Sequence, residues 1–98
     1  MSIGVFLVQA AELIQAANEM NQATEIYEGA VESCKSAAAD LASKWEGDAQ
    51  KAFVAQQENA YSWHKQILSV VRQMIDVIHK AVDLYNQMED AVKSVVQG

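Results

Sequence analysis

Apolar residues recur along this chain at alternating steps of four and three, the spacing that keeps side chains on one helical face. The first such row is Leu13, Ala17, Met20, Thr24, Tyr27, Val31, Cys34, Ala38, Leu41 and Trp45, in which only Thr24 is partly polar. A second row obeys the same rule through Ile67, Val71, Met74, Ile78, Ala81, Tyr85, Met88, Val92 and Val95. Rows of this length predict two heptad-type helices, over about residues 8–44 and 48–95, joined by a turn at 45–47. The expected fold class is all-α: residues 1–98 form one antiparallel two-helix hairpin.

On the second helix the charged residues Glu58, Lys65, Arg72, Asp76, His79, Lys80, Asp83 and Asp90 fall opposite the apolar row, within about 40° of directly away from it. The apolar arc is broad, because Val70, Val77 and Leu84 lie beside the main row. Such breadth calls for two neighbours rather than one. The first helix is one, and a second copy of the hairpin would complete an elongated four-helix bundle. Chain length points the same way, since a domain of 98 residues buries a smaller fraction of its surface than larger ones do.

Gly47 provides a left-handed exit from the first helix and Asp48 a cap for the second. Trp45 continues the first row, so its spacing predicts an indole plugging the end of the bundle. Trp63 and Cys34 lie on the apolar side and are expected in the core, the thiol buried and inert. Ile3, Val5 and Leu7 alternate as an extended segment would, and Gln97 and Gly98 are expected to fray.

The formal net charge is −6, with no basic run, which argues against a binder of nucleic acid or of an anionic membrane, and no stable membrane insertion is expected. Residues 1–44 hold six acids and two bases, and residues 45–98 seven acids and five bases. Neither half complements the other in charge, so the helices must pair through apolar contact. The apolar start Ile3-Gly4-Val5-Phe6-Leu7-Val8 lacks a basic residue before it and meets Glu12 soon after, so no cleavable signal peptide is expected. No stretch approaches the roughly 18 apolar residues of a membrane span.

Catalytic chemistry is not indicated, and no cofactor or metal is expected. The sequence holds no Gly-rich phosphate loop, nucleophile elbow or His-Glu-x-x-His motif. A bundle metal site needs inward-projecting Glu-x-x-His motifs, and the nearest match, Asp76-Val77-Ile78-His79, places both ligands on the solvent face. A metal-binding bundle enzyme is therefore the weakest reading. His64, at the edge of the apolar arc, reads as a packing or surface residue rather than a base.

Two long helical rows with Trp45-Glu46-Gly47 in the central turn give a chain that resembles the WXG-motif (Esx-type) family, small proteins exported by type VII secretion systems of Gram-positive bacteria and actinobacteria. The resemblance covers nearly the whole chain. It is strengthened by Tyr85-Asn86-Gln87-Met88-Glu89, which matches that family's Tyr-x-x-x-Asp/Glu export signal. Tyr85 and Glu89 stand four residues apart on one helix face. The resemblance implies a non-enzymatic substrate that acts through protein contacts, as a homodimer or as a heterodimer with a related small helical protein. It further implies that Trp45 and Gly47 of one chain meet Tyr85 and Glu89 of the other, forming a composite signal for the secretion ATPase. The alternative within the family is a partner or targeting adaptor for a larger exported effector. One departure stands out: where the family often begins its first helix with a Ser/Thr-Pro-Glu-Glu cap, this chain reads Gln9-Ala10-Ala11-Glu12.

Overall fold

The structure is a computed structural model that describes residues 9–97. The extended segment expected over residues 1–7 and the frayed Gly98 lie outside the described residues. Two helices make up the fold, α1 (Ala10–Ser43, 34 residues) and α2 (Asp48–Gln97, 50 residues). Among the described residues there is no strand, so the chain is an all-α, two-helix hairpin. Helix α1 starts where the Gln9 carbonyl accepts the Glu12 and Leu13 amides, at 2.9 and 3.2 Å. Glu12 in that first turn offsets the positive end of the helix dipole. Helix α2 continues through Gln97, beyond the point where fraying was expected.

The chain divides into two compact units. The first joins the N-terminal part of α1, up to Gln22, to α2 from Arg72 onward. Its described core is Ala17, Ile75 and Val82, flanked by half-buried Leu13, Met20, Ile78, Ala81 and Tyr85. The second unit, Ala23–Val71, holds the turn and the core residues Thr24, Val31, Ala38 and Leu68. Among the described residues no buried side-chain nitrogen or oxygen is left without a hydrogen bond, so Thr24 is accommodated despite its hydroxyl.

Among the described residues the buried positions follow a step of seven: 17, 24, 31 and 38 on α1, and 68, 75 and 82 on α2. The predicted row on α1 contains all four of its buried residues. On α2 the prediction is corrected. The buried row is Leu68, Ile75 and Val82, with Val71, Ile78 and Tyr85 half-buried beside it, whereas Met74, Met88, Val92 and Val95 of the expected row are exposed. The physical reason is that α2 carries two adjacent apolar rows, and α1 is narrow enough to cover only one of them.

Three further expectations are overturned. Trp63 is 65% exposed rather than core, because it belongs to the uncovered row. Cys34 is exposed rather than buried. It borders an open groove of about 220 Å³ that is also lined by Ala30, Gln57 and Ala60, whose short or polar side chains do not close over the thiol. Asp48 is the first residue of α2 rather than its cap, a place where its charge still favours the helix start.

Candidate functional site

The link between the helices is built by backbone chemistry. The Lys44 and Trp45 amides donate to the Leu41 and Ala42 carbonyls at 3.0 and 3.3 Å, satisfying acceptors that α1 would otherwise leave open. Gln50 Nε2 returns from α2 to the same Ala42 carbonyl at 3.2 Å, tying the two helix ends together. Gly47 has φ of +115°, where a Cβ would be strained whatever the free space around it. Its carbonyl accepts the Lys51 amide at 3.2 Å and so opens α2.

Trp45 leaves α1 at this point. Its ring tilts against Phe53 of α2, with centroids 5.7 Å apart and planes at 47°. The indole is 37% exposed, so the expected plug is corrected to a shelf resting on Phe53 with one side open. Leu41 is also exposed. In the same unit an open groove of about 500 Å³ is lined by Ala38, Ala39, Ala42, Phe53 and Val54 among others. Small residues on α1 against larger ones on α2 leave that space.

Further along the same unit, a polar clasp holds the hairpin from its outer side. Tyr61 Oη donates to Glu32 Oε1 at 2.7 Å, while Lys35 Nζ stands 4.2 Å above the Tyr61 ring. Donation to Glu32, aided by desolvation and by the charges of Glu32 and Glu28, raises the Tyr61 pKa above the ordinary phenol value. Lys65 pairs loosely with Glu28 at 3.8 Å. The Tyr27 hydroxyl meets His64 Nδ1, with the two rings edge to face at 5.5 Å. His64 is therefore a cross-helix packing partner, a role that its place at the arc's edge had hinted at without identifying Tyr27.

Tyr85 and Glu89 belong to the first unit, Trp45 and Gly47 to the second. Tyr85 is half-buried at the edge of the covered row. Glu89 stands seven residues after Val82, in the register of the buried residues 68, 75 and 82, yet it is exposed. Glu89 is thus an acid in the register of the core rather than on the outer charged arc. Asp76 and His79 are both exposed. Among the described residues no group of three or more His, Cys, Asp or Glu is placed to hold a metal ion, and no helix is long and apolar enough to cross a membrane.

Comparison with known proteins adds one positive finding. Neither the curated proteins nor the solved structures contain a match to this chain. The model of the WXG100 family, proteins of 100 residues with WXG, matches residues 6–94. That span contains the Trp45-Glu46-Gly47 turn and most of both helices. The chain belongs to the WXG100 family, the small, secreted helical proteins of type VII secretion.

Proposed function

We propose that this WXG100 protein leaves the cell as a folded dimer, and that its export signal is divided between two chains. Trp45 and Gly47 of one chain and Tyr85 and Glu89 of the other form the surface that the secretion ATPase reads. The observation that carries this reading is Glu89. It sits in the register of the buried row, beside half-buried Tyr85, at a place where α2 extends in full exposure. Packing among the described residues gives no reason for an acid there, whereas a recognition surface does. The half-open indole of Trp45 supplies the second part, being held by Phe53 but not enclosed.

Export from a host that carries the secretion system tests the proposal. Trp45→Ala and Glu89→Ala should each lower the secreted fraction several-fold while leaving the dimer, measured by sedimentation, intact. Wild-type secretion of both variants would refute the divided signal. A chain that stays monomeric and unstable until a larger effector is co-expressed would instead favour the adaptor role.

A further inference from the structure

The row of α2 that α1 leaves largely uncovered runs at steps of four and three from Ala49 to Val95 and is apolar except at Gln56, with Phe53, Ile67 and Ala81 half-buried. Six of its members, Trp63, Val70, Met74, Val77, Leu84 and Met88, are between 51% and 65% exposed. Six large apolar side chains left more than half exposed along one helix face form a patch of the kind that marks an interaction site. Beside the row lie Asn59, Gln66, Gln73, Lys80 and Gln87, a margin with a single charge. Asp76, Asp83 and Asp90 are on the far side, so two chains of net charge −6 can meet here without setting acid against acid.

We infer that a second copy of α2 covers this row in antiparallel fashion, in a register where facing residue numbers sum to 144. The inference rests on the dimer reading above and specifies how that dimer is built. Side-chain size decides the register. In this alignment Trp63 faces the partner's Ala81, Leu84 faces the partner's Ala60, Phe53 faces the partner's Ala91 and Val95 faces the partner's Ala49. Each alanine of the row thus receives a larger residue, the alternation that fills an interface without voids or overlap. A shift by one heptad in either direction sets Trp63 against the partner's Met88 or Met74, two large residues in one layer. The upward shift also sets Ala60 against the partner's Ala91 and leaves a void. A parallel pairing stacks Trp63 on its own copy and Ala60 on its own copy, with both faults at once. A twofold axis beside Arg72 closes the assembly at two chains.

The register has a consequence for the signal. Phe53, on which Trp45 rests, lies level with the partner's Ala91, two residues and about 3 Å along the axis from the partner's Glu89. The same pairing that satisfies side-chain size therefore brings the two parts of the signal to one end.

Disulfide trapping tests the register in the full chain with Cys34→Ser as background. Ile67→Cys protein mixed with Val77→Cys protein, and Trp63→Cys mixed with Ala81→Cys, should give cross-linked dimer several-fold above the mixture of Trp63→Cys with Met88→Cys. Each variant alone should remain unlinked, because no residue of these five faces its own copy. The Ile67 and Val77 pair leaves Trp63 in place, so the test survives if the tryptophan is needed for assembly. Preferred linkage of residues 63 and 88, self-linkage of any single variant, or an intact dimer that forms none of these links would overturn the register and leave the dimer standing. A wild-type chain that sediments as a monomer would overturn both.

Discussion

Helix α2 presents two apolar rows with opposite fates. Leu68, Ile75 and Val82 are buried, Leu68 to 1% exposure, while Val70, Val77 and Leu84, of the same chemical kind and only two residues further along, remain more than half exposed. Hydrophobicity does not distinguish them; the presence of α1 over one row does. The buried row stabilises the hairpin within its own chain. The open row contributes nothing until something covers it, and its apolar area is a reserve of association energy.

Substitutions that strike one row at a time separate these roles. The largest effect is expected from Leu68→Ala, which should destabilise the hairpin by about 2–5 kcal/mol in denaturant unfolding, through lost transfer energy and the cavity left behind. Val77→Asp, in the open row, should keep the helical circular-dichroism signal yet weaken self-association by roughly a hundredfold, about 2.7 kcal/mol, when measured by sedimentation. If Val77→Asp instead unfolds the chain, the division between the rows fails. Gly47→Ala touches neither row, and its positive φ should cost about 1–2 kcal/mol of hairpin stability without changing the association constant at concentrations where the chain is folded.

The smallest effect concerns the polar clasp. Because the folded-state pKa of Tyr61 is raised, its bond to Glu32 stabilises the fold fully below the ordinary phenol value and ceases to do so as pH rises through the raised value. Glu32→Gln should move the Tyr61 ultraviolet titration to lower pH and flatten the alkaline loss of stability. An unchanged titration would show that Glu32 is not the cause.

The two helices differ in how far their sequences disclosed this arrangement. On α1 a single apolar row faces a single neighbour, so the four-and-three spacing leads directly to Ala17, Thr24, Val31 and Ala38. Near the turn the same spacing overreaches: Cys34, Leu41 and Trp45 are in step but exposed. The groove at Cys34 includes the short or polar Ala30, Gln57 and Ala60, and Trp45 rests on Phe53 with one side open; period says nothing about what stands opposite. On α2 the width of the apolar arc implies two neighbours, but two equally apolar rows give no signal as to which one its own chain covers. Trp63, expected in the core, therefore stands on the uncovered side at 65% exposure. Trp45, Gly47, Tyr85 and Glu89 were legible as a motif, and the backbone role of Gly47 follows from its chemistry. The stacking of Trp45 on Phe53 and the pairing of Tyr27 with His64 depend on the relative rotation of two helices, which no local pattern encodes.

Helix α2 also outlasts α1, at 50 residues against 34, and from Asn86 to Val95 every side chain is exposed. A helical stretch of that length is marginal in water unless something packs against it. Anything that binds only the helical form stabilises it by mass action, in proportion to how far its concentration exceeds the dissociation constant. On the proposed pairing, the order of this tail is a gauge of copy number. Sparse chains would present Glu89 on a fraying end, and abundant ones would present it in fixed orientation, so the protein would report its own abundance to whatever reads it.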